Sequence, residues 1–244
     1  MTYCVGLMLD AGLVMLSDTR TNAGLDNIST YRKMFTFEQP GERVIVVMTA
    51  GSLSVTQTTL ARLQEAIDDP ENIVDDVMQA PSMLAAARIV GNMLAEVAAD
   101  LHETMDRMKQ SVTASMIVAG QRRGGNMRTF LIYPEGNFIE ATDDTPFLQI
   151  GEHKYGKPLL DRVVTPAMGL EDAQKAALLS MDSTLRSNLS VGMPLDLAVI
   201  EKDTYRIGLR RRIEREDAEF AAMSRAWSDS LRNAFTKIVL SRSA

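Results

Sequence analysis

Thr2 follows Met1 and leads directly into the apolar run Tyr3-Cys4-Val5-Gly6-Leu7-Met8-Leu9. Methionine aminopeptidases remove Met1 ahead of a small second residue, so the mature chain is expected to begin with a threonine. Such a residue carries a hydroxyl and a free α-amine on adjacent carbons, a nucleophile with its own base. The amine has an ordinary pKa of ~7.7–8.0 and accepts a proton near neutrality. A hydroxyl beside such an amine is a recognised activated nucleophile. Two charged residues fit this chemistry. Asp18 ends the second apolar run and Lys33 starts the third. An ammonium near Thr2 favours the deprotonated hydroxyl and lowers the amine's proton affinity by like-charge repulsion, and Asp18 would hold that lysine charged and in place. Each residue also has a plainer reading: many chains begin Met-Thr, an aspartate caps turns, and a lysine protects an edge strand.

With 244 residues the chain can bury a full core as one domain spanning 1–244. Its formal charge of −6 disfavours nucleic acid or an anionic membrane surface as a partner. No apolar run reaches membrane-spanning length, and no basic stretch followed by an apolar one opens the chain. The single Cys4 excludes a disulfide framework and fits a reducing cytoplasm. His102 and His153 are too few for a histidine-rich metal centre, and no CxxC, HExxH, P-loop or GxGxxG occurs. No metal and no cofactor are therefore expected.

Around these residues the apolar periodicity predicts strands over 3–10 and 13–18, a polar loop over 19–32, and a hairpin of 33–38 with 43–49. Leu60, Leu63 and Ile67 predict a helix ended by Asp68-Asp69-Pro70. A longer one over about 81–108 carries a stripe of Leu84, Ala87, Leu94, Ala98, Leu101, Met105 and Met108. His102 lies beside that stripe, as a surface or interface residue. Strands over 111–119, 127–133, 137–141 and 147–150 follow, with a turn over 120–126. Helices over 155–164 and 170–189 come next, the second aligned on Leu178, Met181, Leu185 and Leu189. A hairpin over 195–201 and 205–213 precedes a terminal helix over 214–240 with Phe220, Met223, Trp227, Leu231, Phe235 and Ile238 on one face. This order lacks strict βαβ alternation. It suits an α+β fold, a four-layer αββα sandwich of two antiparallel sheets with helices on both outer sides. The apolar face of the terminal helix predicts a homo-oligomer. The basic cluster Arg206, Arg210, Arg211, Arg212 and Arg215 reads as ion pairing between subunits.

The wording Thr2-Tyr3-Cys4, Ser17-Asp18-Thr19-Arg20-Thr21-Asn22, Ile28-Ser29-Thr30-Tyr31-Arg32-Lys33, Val46-Val47-Met48-Thr49-Ala50-Gly51-Ser52 and Ile150-Gly151-Glu152-His153-Lys154 resembles the proteasome-type N-terminal nucleophile hydrolases. That family includes proteasome β-subunits and the HslV-type peptidase, and the likeness is to its bacterial Anbu group. The resemblance implies a threonine peptidase working through an acyl-enzyme, with Thr2 as nucleophile, Lys33 tuning the base and Asp18 orienting Lys33. It implies an oxyanion donor from the backbone at Met48, where the family usually has glycine. Arg20, Thr21 and Asn22 would bind an extended peptide by strand addition, with Ala50 walling the specificity pocket. Ser187 would stand where an aspartate is common and Ser190 where a serine is, both supporting the nucleophile. Glu152-His153-Lys154 replaces the family's Ser-Gly-Gly. Implied partners are further copies of the chain in a ring or open helical turn, a peptide or unfolded-protein substrate, and a separate ATPase for folded substrates. The altered support also permits a non-proteolytic scaffold, or amide transfer to small peptides when an amine intercepts the acyl-enzyme.

Overall fold

The computed structural model describes residues 1–22, 28–69, 71, 75–107 and 113–238. Two five-stranded antiparallel sheets stack face to face. The first is built from β1 (Tyr3–Leu9), β2 (Gly12–Asp18), β10 (Phe147–Gly151), β11 (Leu195–Glu201) and β12 (Leu209–Ile213), in the order β10-β1-β2-β11-β12. The second holds β5 (Met34–Gln39), β6 (Arg43–Gly51), β7 (Ala114–Arg122), β8 (Arg128–Ile132) and β9 (Phe138–Glu140), paired in chain order. A two-stranded ribbon, β3 (Arg20–Asn22) with β4 (Ile28–Thr30), stands apart.

The strands read as near-continuous apolar runs because both sheet faces are covered. Alternation assigns the faces. Cys4, Leu13, Met15, Val44, Val46, Met48, Ala50, Ile117 and Ile150 meet in the space between the sheets. Tyr3, Val5, Leu7, Val14 and Leu16 point outward onto α3 (Lys157–Val163) and α4 (Leu170–Ser187) through Leu160, Ala173, Ala177 and Met181. Ile45, Val47, Met116 and Val118 point the other way, onto α1 (Leu53–Asp68) and α2 (Met83–Arg107). The four layers expected from the element order are present.

Several local expectations need correction. The polar stretch 19–32 contains β3 and β4, whose short lengths and polar side chains hide the alternation; its residues 23–27 lie outside the described ones. β7 runs on through Gly120 to Arg122, because Gly120 pairs with Ile45 and leaves no room for a side chain beside the Val44 carbonyl. Leu84 is 38 % exposed and does not belong to the α2 stripe, which is Met83, Ala86, Ala87, Val90, Leu94 and Val97. Pro70, Met108 and residues 239–240 lie outside the described residues, as does the side chain of Met105. Leu189 follows the end of α4 and is 86 % exposed.

The terminal helix α5 (Ala218–Lys237) starts later than its apolar spacing suggested. β12 extends to Ile213, and the Asp217 carboxylate accepts from the Phe220 N–H at 2.8 Å as an N-cap. Ser224 is the one buried residue of α5, while Leu231, Phe235 and Ile238 are 50, 78 and 71 % exposed. Phe220 packs against the outer core, and a polar clamp ties the helix to α4: Ser224 donates to Asp182 at 2.7 Å, and Arg186 donates to Ser224 at 2.7 Å. Three of the five arginines of the basic cluster make ion pairs within the chain. Arg210 meets Glu38, Arg211 meets Asp217 and Glu219, and Arg212 meets Asp196 and Glu214.

Candidate active site

Met1 is 63 % exposed and Thr2 only 8 %, so the chain dives from solvent into the protein within one residue. Two backbone contacts fix Thr2. Its carbonyl accepts the Glu152 N–H at 2.7 Å, extending the β1–β10 ladder that starts at Tyr3↔Gly151. The next N–H, that of Tyr3, donates to Asp18 Oδ1 at 3.1 Å. Cys4 faces the space between the sheets, so Thr2, two residues earlier, faces the same way at its mouth. Gly151 (φ +81°) is required here, since a side chain at that position would run into the Thr2 carbonyl.

Asp18 and Lys33 come from the facing ends of β2 and the residue before β5. Lys33 Nζ donates to Asp18 Oδ1 at 2.8 Å and to the Arg20 carbonyl at 2.6 Å, and lies 3.4 Å from the Met1 carbonyl oxygen. Gly192 N–H donates to Asp18 Oδ2 at 3.2 Å. Burial pushes the Asp18 carboxyl above its ordinary value, against the opposing pull of the Lys33 ammonium and the two backbone N–H groups. Beneath the site, Tyr3 Oη is hydrogen-bonded to Ser180 Oγ and accepts from Gln149 Nε2 at 2.6 Å, and burial pushes the phenol up to about 12. Burial also raises the Cys4 thiol, whose Sγ lies 3.7 Å from the Thr49 carbonyl oxygen. It is a core residue without reactive character.

The expected oxyanion donor needs correction. The Thr49 N–H donates to the Lys33 carbonyl at 2.9 Å and so points to the β5 side of β6. N–H groups alternate along a strand, which turns those of Met48 and Ala50 toward β7. Met48 is fully buried, paired with both Met34 and Ile117. Its N–H belongs to the ladder and its side chain to the core. The alternation returns the Gly51 N–H to the β5 side, beyond the point where β5 begins. Gly51 is exposed, with a φ of +110° and no room for a side chain beside Thr113. The clue in the sequence was a glycine closing an apolar strand.

The remaining expected residues are placed as follows. Thr21 is half-buried in β3, which pairs with β4 on one edge and has no strand on the other among the described residues; Asn22 closes β3. The Arg20 guanidinium is engaged with the loop after α4: Nη1 donates to the Leu189 carbonyl at 2.8 Å, and the group fills the space a side chain at Gly192 would need. Arg20 thus meets the site through its carbonyl. Ser187 is exposed at the end of α4 and Ser190 is half-buried in the next loop. Neither hydroxyl bonds to Thr2, Asp18 or Lys33; that loop reaches the site through the Gly192 backbone. Ala50 is buried and lines, with Gly51 and Gly151, a cavity of about 530 Å³. Glu152 lies within 3.7 Å of Lys154, and His153 Nδ1–H donates to the Gly151 carbonyl at 3.1 Å. His102 is exposed on α2. Among the described residues no three metal-ligating side chains cluster, and no helix is long and apolar enough to cross a membrane.

The family model described as proteasome subunit matches residues 2–200. No curated protein matches the chain. Among solved structures, Anbu from Hyphomicrobium sp. strain MC1 is 48 % identical, with 99 % of this chain and 100 % of that one covered and a TM-score of 0.89. Anbu (ancestral beta-subunit) from Yersinia bercovieri is 42 % identical over 99 % of both chains, with a TM-score of 0.92. The chain of a structure titled as the helical assembly of the Anbu complex from Pseudomonas aeruginosa is 44 % identical over 99 % of this chain and 98 % of that one, with a TM-score of 0.91. A match over most of the length, joined to a buried threonine beside an Asp–Lys pair at the mouth of an αββα sandwich, places this chain in the proteasome-subunit family, within its Anbu group.

Proposed function

We propose that the protein is a threonine-type amidohydrolase acting on peptide bonds through an acyl-enzyme on Thr2, within an assembly of identical subunits. The observation that carries this reading is the 3.4 Å approach of Lys33 Nζ to the Met1 carbonyl oxygen. That carbonyl belongs to the bond that methionine removal cuts, so the freed Thr2 amine is left in the neighbourhood of the ammonium. The amine takes the hydroxyl proton as Thr2 Oγ attacks the substrate carbonyl, forming the new C–O bond and a tetrahedral oxyanion. Lys33 keeps the amine unprotonated beforehand by charge repulsion, and Asp18 holds Lys33 in place. The Gly51 N–H, in place of Met48, receives the oxyanion. The amine then returns its proton to the leaving nitrogen, and water releases the acyl group. The edge of β3 that has no partner strand among the described residues offers N–H and C=O groups to an extended substrate.

Self-association is supported by the helical assembly named for the Pseudomonas relative and by the exposed Leu231 and Phe235 on α5 and Ile238 just after it. Folded substrates would require a separate ATPase partner. The test is covalent labelling: an epoxyketone or β-lactone is expected to add its mass to wild type lacking Met1 and not to Thr2→Ala. Retention of Met1, or equal labelling of both proteins, rejects the mechanism, and the absence of labelling in both favours a scaffold role. A native mass showing only monomers rejects the assembly.

A further inference from the structure

Thr2 has two unlike flanks. On the β2 and β5 side lie Asp18, Lys33 and β3, whose edge away from β4 carries no strand among the described residues and can pair with a main chain. On the β10 side the local backbone is occupied: Glu152 N–H is taken by the Thr2 carbonyl and the Gly151 carbonyl by His153. What that side offers is the cavity of about 530 Å³ between the ends of β6, β7, β8 and β10. Its walls include Ala50, Leu131, Tyr133 and Ile150, with Thr113, Ser115 and Gln149 as polar members and His153 at the rim, and among the described residues the lining has no Asp, Glu, Lys or Arg. The β10 edge borders this void, but beside Thr2 its groups are already taken by the Thr2 carbonyl and by His153, so what the void accommodates there is a side chain. The acyl half of a substrate needs main-chain pairing to hold its carbonyl over Thr2, and this assigns it to the β3 flank.

We propose that this cavity receives an apolar side chain from the residue on the leaving-amine side of the bond under attack. The proposal rests on Thr2 being the nucleophile. An acidic or basic side chain entering the cavity would lose water without gaining an ionic partner, whereas leucine or phenylalanine would exchange water for Leu131, Tyr133 and Ile150. The cavity thus selects the leaving peptide, a preference separate from whatever β3 selects on the acyl side.

The experiment uses the full chain and a fluorogenic peptide series varied only after the scissile bond, with Leu, Phe, Asp or Lys there. In wild type, kcat/KM is expected to be at least tenfold higher for Leu and Phe than for Asp and Lys. Ser115→Trp, which fills the cavity, and Leu131→Asp, which adds a charge to it, are expected to cut that ratio to below threefold. Both variants should keep labelling of Thr2 by a small β-lactone and an unfolding temperature close to wild type. Absence of labelling in wild type sinks the nucleophile reading, and the proposal with it. Labelling with no apolar preference, with no cleavage of any peptide, or with the preference surviving in both folded variants overturns the subsite alone.

Discussion

Removing the Lys33 side chain is the perturbation whose effect the geometry bounds most tightly. The Lys33 and Asp18 side chains are 7 and 0 % exposed, so solvent does little to screen their 2.8 Å contact. Lys33→Ala leaves a buried carboxylate with only the Tyr3 and Gly192 N–H groups as partners. Breaking one side of such a pair typically costs about 3–5 kcal/mol. For a chain of this size that is a fall of about 6–20 °C in unfolding temperature. Asp18→Asn/Lys33→Met removes both charges and is expected to recover most of the loss. The pH dependence has a definite sign. Without the ammonium, the Asp18 carboxyl rises further above its unfolded value. A carboxyl raised in the folded state destabilises at high pH, and that penalty fades as pH falls through its folded pKa. The deficit of Lys33→Ala relative to wild type should therefore shrink on acidification. The assay is calorimetric or fluorescence-detected unfolding of both proteins between pH 5 and 8, by about half-unit steps, alongside β-lactone labelling, which should vanish in the variant. A melting temperature within about 2 °C of wild type at neutral pH, a deficit that does not change with pH, or undiminished labelling would each refute the argument.

Other expectations follow from the same contacts. Tyr3 is held protonated up to about 12 while an unfolded tyrosine titrates near 10, so the fold should lose about 2–3 kcal/mol as pH climbs through that window. Urea melts should show a shallower alkaline loss in Tyr3→Phe, and an identical slope would exclude the phenol as the cause. Gly151→Ala should destabilise by at least about 2 kcal/mol and abolish labelling, because the new methyl displaces the Thr2 carbonyl; chemical denaturation with intact-mass readout checks both effects. Ser187→Ala, Ser190→Ala and Met48→Leu should each retain labelling within about twofold of wild type, since none has a side chain bonded to the Thr2, Asp18 or Lys33 groups. A tenfold loss in any of them would restore that residue to the site.

The meeting of Thr2, Asp18 and Lys33 was legible because each lies at the end of an apolar run, and strand ends at the mouth of a stacked pair of sheets lie near one another. The two-residue turn at Asp10-Ala11 sets the register Cys4↔Ser17, which brings Asp18 beside the Tyr3 N–H. Met48 was misread because an apolar run does not reveal which way each N–H points. That depends on β5 starting at Met34 and pairing Met34 with Met48, a fact of tertiary register. Ser187 and Ser190 were chosen by residue type, yet the loop holding them acts through Gly192, whose N–H any residue could carry but whose missing side chain makes room for Arg20. β3 and β4 were invisible because three-residue strands of mostly polar composition have no period to detect.

The polar clamp under α5 has a mechanical corollary. Twenty residues at ~1.5 Å each make a rod of roughly 30 Å, and the contacts described above, the Asp182–Arg186–Ser224 clamp, the Arg211 ion pairs and the packing of Phe220, all lie in its first third. Pivoting there by about ten degrees sweeps Phe235, roughly 16 Å beyond Ser224, through roughly 3 Å. Pitch and curvature in any array built on that tip would then answer to the anchoring residues at the other end, and substitutions there would retune the lattice without touching a contact.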